Sequence, residues 1–298
     1  MNPVQFPKPL PEFIIIGAMK SATSTLQEQL ALQPGIFMSD PKEPNFFSDD
    51  PQYSRGTDWY SSLFTNALAD DLKGEASTHY TKLPTYDKAT YRMRELVPDA
   101  RLVYVMRHPI DRLVSHYIHE WTMGNIHCEI NEAVKRFPEM ISYGEYSKQL
   151  EPYIAAFGRD RILPVFFDRL TSAPQAELER VCKFIGYRGT PKWFEDLKPS
   201  NVSSERLRRF PFYEIVVKST IATRIRRMLV PRRLRNWVKA GLTMKQRPQL
   251  DPLLVKELEA TFDKDLERLG LWLGRELSCE NFKATTGSLT LEWSRNNA

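Results

Sequence analysis

The sequence predicts an α/β fold in which a central parallel sheet is flanked by helices. Apolar β-type runs occur at Phe13–Ile16, Leu102–Met106 and Ile162–Phe167. They are near-continuous rather than alternating, as expected of strands buried on both faces. Longer stretches of helical character separate them, which is the spacing of βαβ units. The first run also breaks into a glycine-containing loop before a helical stretch, a common strand-to-helix turn in such sheets.

Taken in order, the chain opens on a proline-rich extension, residues 1–12, with no basic segment leading into an apolar one. A secretory signal is therefore not expected. After the first strand a helix is expected over Ser24–Gln33, and LKGEAS (Leu72–Ser77) is a weaker strand candidate. The strand ending at Met106 is followed by a helix over Asp111–Met123. Further helices are expected over Gly144–Phe157 and Pro174–Ile185. In the last of these Leu178, Val181, Cys182 and Ile185 recur at helical spacing. The final long helix, Pro252–Leu269, sets Leu254, Leu258, Phe262, Leu266 and Leu269 on one stripe, the pattern of a core-packing helix. After Gly274 the pattern fades, and residues 275–298 read as a loose or surface-lying polar tail. The whole is expected to be one domain, 1–298, with a basic helical segment or lid at 200–250.

Composition narrows the function classes. With 298 residues, 42% hydrophobic and 27% charged, the chain has the make-up of a soluble globular protein. Cys128, Cys182 and Cys279 stand far apart, and the five histidines form no ligand pattern, so neither a disulfide framework nor a metal site is expected. A reducing, cytoplasmic location is the expectation. The net charge of +5 is uneven: eleven basic residues against Glu214 alone make Arg206–Lys239 +10, leaving −5 elsewhere. That segment mixes arginines with apolar residues. It reads as a solvated helix pair, a docking surface for an acidic substrate, or a peripheral contact with an anionic membrane through 206–239. It lacks the motif and interleaved aromatics of a nucleic-acid binder.

The loop in FIIIGAMKSATST combines free backbone N–H groups with the positive end of a helix dipole, which favours an anion. An ATP- or GTP-binding loop would read G-x-x-x-x-G-K-[ST]. Counted from Gly17, the second glycine position holds Ala22 and the lysine position holds Thr23, while lysine stands early, at Lys20.

With Gly17, Lys20, Ser21, Thr23, Ser24 and Leu26, the segment resembles the 5′-phosphosulfate loop of sulfotransferases that use 3′-phosphoadenosine 5′-phosphosulfate (PAPS). Ala22 departs from it, since the family usually has glycine there. Three further segments resemble the same family, in the branch of heparan sulfate N- and 3-O-sulfotransferases and their bacterial relatives. They are RLVYVMRHPIDRLVSHY from Arg101, KEPNFFS from Lys42 with GTDWYSSLF from Gly56, and KGEASTHY from Lys73. The resemblance covers about Phe13 to Tyr187.

It implies a three-layer, P-loop-like fold and transfer of a sulfuryl group from PAPS to a hydroxyl or amine, with adenosine 3′,5′-bisphosphate (PAP) as product and no metal. By the same resemblance Lys20, Ser21, Ala22, Thr23, Ser24 and Thr25 hold the 5′-phosphosulfate, and Arg107 with Ser115 hold the 3′-phosphate. Arg206 is a further nucleotide or substrate contact, Lys42 meets the acceptor, and Glu75 is the general base with His79 second. The acceptor is expected to be a carbohydrate or small molecule. Two rival readings remain open at this point. One is a nucleotide-binding protein of the same fold with impaired catalysis, and the other is an unconventional P-loop kinase.

Overall fold

The computed structural model describes residues 9–197, 244 and 246–294. Five strands form one parallel sheet: β1 (Phe13–Gly17), β2 (Ile36–Met38), β3 (Leu72–Ala76), β4 (Arg101–Met106) and β5 (Ile162–Phe166), in the order β2-β3-β1-β4-β5. β1 lies at the centre, pairing Ile14 with Glu75 on one side and Leu102 on the other.

Side-chain alternation sorts the core into two layers. Phe13, Ile15, Val103, Val105 and Val165 pack against α1 (Thr23–Ala31) and α10 (Pro174–Ile185). Ile14, Ile16, Leu102, Tyr104 and Met106 face the other way. There they meet α4 (Ala89–Leu96), α5 (Pro109–Met123), α8 (Tyr146–Phe157) and a long C-terminal helix, α11 (Pro252–Leu273). The expected α/β class with a parallel, doubly covered sheet is the one found.

Shorter helices fill the connections: α2 (Asp50–Tyr53), α3 (Gly56–Ser62), α6 (Ile130–Arg136), α7 (Glu139–Ser142) and α9 (Phe167–Ser172). β2 escaped the sequence reading because three residues at a sheet edge carry no periodicity to detect. α11 runs one turn beyond its expected end and is capped by Asp251, whose Oδ1 accepts from the Leu253 N–H at 2.8 Å. Its buried Asp265 in turn accepts hydrogen bonds from Ser147 N (3.0 Å), Ser147 Oγ (2.5 Å) and Lys148 N (3.1 Å), capping α8 from outside.

The stretch after Gly274 corrects the expectation of a loose tail. Leu277, Cys279, Phe282 and Leu291 are buried, and α12 (Phe282–Ser288) packs on α9. The Trp293 indole N–H donates to Ile162 O at 2.6 Å on the edge strand. Few apolar residues are needed for this, and they are spaced too irregularly to reveal a helix face. Arg206 and the 206–239 segment lie outside the described residues. No helix among the described residues is long and apolar enough to cross a membrane.

Candidate active site

From β1 the chain leaves toward β2, and from β4 it leaves toward β5, so the connections diverge between these two neighbouring strands. Beyond the strand ends at such a point the loops part and leave a crevice. A cleft of about 950 Å³ opens there.

Its first wall is the loop between β1 and α1. Gly17 has φ 151°, and a Cβ at that position would stand 1.9 Å from Thr81 Oγ1. That hydroxyl donates to Ile16 O at 2.8 Å, so only glycine lets the chain turn there. Lys20 and Ala22 both adopt left-handed backbone, at φ 70° and 68°. Ala22 is the N-cap of α1 and offers no side-chain cap, so the first-turn N–H groups remain without an intrahelical partner. Lys20, Ala22, Thr23, Ser24 and Thr25 all line the cleft. Ser21 does not. It is fully buried behind the loop, and its hydroxyl is not presented to the cleft. Burial, and then the neighbouring Arg107, pull the Lys20 amine below its ordinary pKa.

The second wall comes from β4 and α5. Arg107 follows the last strand residue, and Ser115 lies two turns along α5 on the same cleft. The Arg107 guanidinium sits 4.5 Å from the Phe167 ring centroid and donates through Nη1 to Lys20 O at 3.3 Å. Its buried Nε has no hydrogen-bond partner among the described residues. Tyr146 holds the Arg107 backbone, accepting from its N–H at 3.2 Å and donating to its carbonyl.

Trp193 completes this half. Two glutamines on α1 hold its neighbours: Gln29 exchanges two hydrogen bonds with the Phe194 backbone (2.8 and 2.9 Å), and Gln33 exchanges two with Lys192 (both 2.9 Å). Arg247, paired with Asp111 at 3.0 Å, also reaches the cleft. Sequence reasoning did not single it out.

Across the cleft lies the turn after β2. Lys42 donates to Ser24 Oγ and so ties this turn to α1. Glu43, at φ 53°, lines the cleft and accepts from Thr78 Oγ1 at 3.3 Å. His79 is there too, its Nδ1 3.4 Å from Asp49 Oδ1 and its ring stacked on Tyr86. Burial, then the cationic Lys82, keep His79 below the ordinary histidine pKa. Lys82 and His119 complete the wall.

Glu75 sits elsewhere. It belongs to β3, is 0% exposed, and does not reach the cleft surface. Tyr60 donates to its Oε2 at 2.6 Å. The hydroxyls of Tyr80 and Ser77 stand close enough to steady the anion without completing a hydrogen bond to Oε1. Burial nevertheless outweighs these hydroxyls and raises the carboxyl to about 7. The Ser77 and Tyr80 oxygens accept the N–H groups of Asn45 (3.1 Å) and Phe47 (3.5 Å). Glu75 is thus at the centre of a polar cluster that supports the turn carrying Lys42 and Glu43.

Of the expected site residues, then, Lys20, Ala22, Thr23, Ser24, Thr25, Lys42, His79, Arg107 and Ser115 come together in one cleft. Ser21 and Glu75 stand behind it. Glu43 was passed over although it lies inside the quoted KEPNFFS. The signal was the acidic side chain next to Lys42, the one carboxylate in that stretch.

A family model described as the sulfotransferase domain matches residues 10–270. Among curated proteins, the chain is similar to heparan sulfate glucosamine 3-O-sulfotransferase 3B1 of Mus musculus. The identity is 31% over 193 residues, covering 61% of this chain and 47% of that protein. It is also similar to bifunctional heparan sulfate N-deacetylase/N-sulfotransferase 2 of Homo sapiens, at 27% over 198 residues, 59% of this chain and 22% of that one. The chain thus spans about a fifth to a half of the length of these relatives. Among solved structures, the sulfotransferase from Alicyclobacillus acidocaldarius superposes with a TM-score of 0.64 at 24% identity, covering 90% of this chain and 98% of that one. The three-layer, P-loop-like fold is shared with it.

Proposed function

The chain belongs to the sulfotransferase family, and from that premise we propose that it moves a sulfuryl group from PAPS to a hydroxyl or amine of a carbohydrate or small-molecule acceptor. The observation that carries this reading is one cleft with an anion-binding wall facing a lysine–glutamate pair. Two features of the cleft fit a bisphosphorylated donor: an uncapped helix N-terminus, and the buried Arg107 Nε that lacks a partner. When bound, PAPS supplies a sulfuryl group already activated for transfer.

The work left to the protein is charge placement. Lys20 and the first-turn N–H groups of α1 stand ready for negative charge at the 5′ end, by the physics of an oxyanion hole. Arg107 offers a guanidinium fork, and Ser115 a hydroxyl, to the 3′-phosphate. Trp193 and Phe167 give the donor half apolar, aromatic faces. Lys42, held on Ser24, links the two halves where the transferred group must pass.

A hydroxyl is a poor nucleophile until its proton is removed. The sequence nominated Glu75 for that role, but the geometry favours Glu43, a carboxylate that lines the cleft beside Lys42, with Glu75 holding the turn beneath it. The relatives named for heparan sulfate support a saccharide acceptor.

The test is calorimetric binding of PAP together with transfer from PAPS to a panel of saccharide acceptors. Glu43→Gln is expected to lower kcat by about 10²–10⁴-fold, the usual contribution of a positioned base, with PAP affinity unchanged. Glu75→Gln is expected to keep most turnover. The opposite pattern returns the base to Glu75. PAP binding with no transfer to any acceptor supports the impaired reading, and stabilisation by ATP with magnesium but not by PAP supports a kinase.

A further inference from the structure

The stretch after α11 lies beyond residue 270, where the family match ends, yet it is fastened to the two elements that flank Arg107, the start of α5 and α9. On the α5 side His108 donates through Nε2 to Cys279 O at 2.9 Å, and the Lys283 amine lies 2.6 Å from Asp111 Oδ2. On the α9 side Thr286 Oγ1 donates to Asp168 Oδ2 at 3.2 Å, and Ser172 Oγ donates to Gly287 O at 2.7 Å. The fully buried Phe282 meets the rings of His108 and Phe166 at centroid distances of 6.0 and 5.9 Å. Apolar packing accounts for Phe282. It does not account for Lys283, a half-exposed side chain that buries no core.

The partner of Lys283 is the informative one. Asp111 is the acid that pulls hardest on the Arg107 guanidinium, and Asp168 pulls more weakly, while Arg247 repels it. The Asp111 side chain is three-quarters buried, and its second oxygen, Oδ1, holds Arg247 at 3.0 Å. Burial raises its pKa, but Lys283 and then Arg107 bring the carboxyl below its ordinary value, so it is charged at neutral pH. One aspartate therefore faces three cations.

Those cations are not equivalent. Arg107 and Arg247 line the cleft, and Lys283 meets Asp111 from outside it. Arg107, Arg247 and Lys283 set against Asp111 and Asp168 leave one net positive charge. Without Lys283 the sum is zero, and the acids draw on the guanidinium groups that face the cleft. An anion arriving there would then compete with Asp111 for the same donors.

Resting on the donor reading above, we propose that Lys283 is a positioning residue for recognition of the 3′-phosphate: by neutralising Asp111 from outside the cleft, it leaves Arg107 and Arg247 free to receive the phosphate. The C-terminal helix α12 thereby belongs to the donor site without touching the nucleotide.

The experiment compares PAP, which carries the 3′-phosphate, with adenosine 5′-monophosphate (AMP), which lacks it, by NMR titration of the full chain. The wild-type chain is expected to prefer PAP. Lys283→Met should weaken PAP about three- to ten-fold, more than one exposed pair alone, because a phosphate monoester carries nearly two charges. AMP should change by less than about two-fold, since it makes no use of Arg107 at the 3′ position. Lys283→Arg should keep the wild-type preference, and in an Asp111→Asn background Lys283→Met should no longer weaken PAP. A merely structural role would weaken both nucleotides alike, and urea unfolding of each variant checks the fold independently. Unchanged PAP affinity in Lys283→Met, an equal loss for both nucleotides, or a loss that persists with Asp111→Asn overturns the proposal. If the wild-type chain binds PAP no better than AMP, undetectable binding included, the donor reading itself falls and this inference with it.

Discussion

Replacing Glu75 by glutamine separates a buried structural acid from a catalytic one, because its effect must follow pH in one direction. The folded protein holds the Glu75 proton up to about pH 7, whereas an unfolded carboxyl releases it near its ordinary value of 4.5. Between these values the folded state binds more protons than the unfolded state, so wild-type stability falls as pH rises. A shift of this size corresponds to roughly 3 kcal/mol. Glutamine keeps an acceptor oxygen for the Tyr60 hydroxyl and does not titrate. Relative to wild type, Glu75→Gln should therefore gain about 3 kcal/mol on going from pH 4.5 to above pH 7, whatever its offset at acid pH. Urea denaturation of both proteins at half-unit intervals reads the difference directly. Parallel stability curves, or a difference that shrinks toward alkaline pH, would refute the account of Glu75 as an acid held uncharged by burial.

Other expectations concern single contacts. Ala22→Gly relieves left-handed strain at the start of α1 and should raise stability by up to about 1 kcal/mol in a denaturant titration, less whatever glycine adds to unfolded-chain entropy. Asp265→Ala removes the acceptor for three hydrogen bonds and leaves the α8 N–H groups buried, which should cost about 2–4 kcal/mol. A two-state unfolding curve shows it. Arg107→Ala should weaken PAP by the roughly 1.5–3 kcal/mol of a charge-assisted hydrogen bond, about 10- to 150-fold in Kd by calorimetry.

Most of the wall formed by the β1–α1 loop and the start of α5 could be read from residue order. Gly17, Lys20, Arg107 and Ser115 are local to strand ends and helix starts, where backbone geometry follows from the sequence nearby. The opposite wall was harder for a definite reason. Glu75 and Glu43 each lie beside a recognisable motif, and nothing in spacing says which faces solvent. The structure decides through strand register. Glu75 pairs across from Ile14 in mid-sheet, so its side chain enters the layer under Phe46, Phe47 and Tyr60, while Glu43 rides on a turn beyond the strands. Lys82 and Arg247 depend on long-range packing and carry no local signature. The C-terminal stretch was misjudged because Phe282, Leu291 and Trp293 bury themselves singly, without a periodic face.

The pair of glutamines on α1 has a consequence for the dimensions of the cleft. Gln29 and Gln33 stand four residues apart on a helix, a rise of about 6 Å. Lys192 and Phe194 stand two residues apart in extended chain, a repeat of about 6.6 Å. The two periods nearly coincide, so side-chain amides imitate the rungs of a strand ladder along a helix. Trp193, between the rungs, is thereby set at a fixed distance along α1 from the loop between β1 and α1. The separation of Trp193 from the β1–α1 loop is gauged by helix pitch, and a one-residue slip of either partner would leave every rung unmatched.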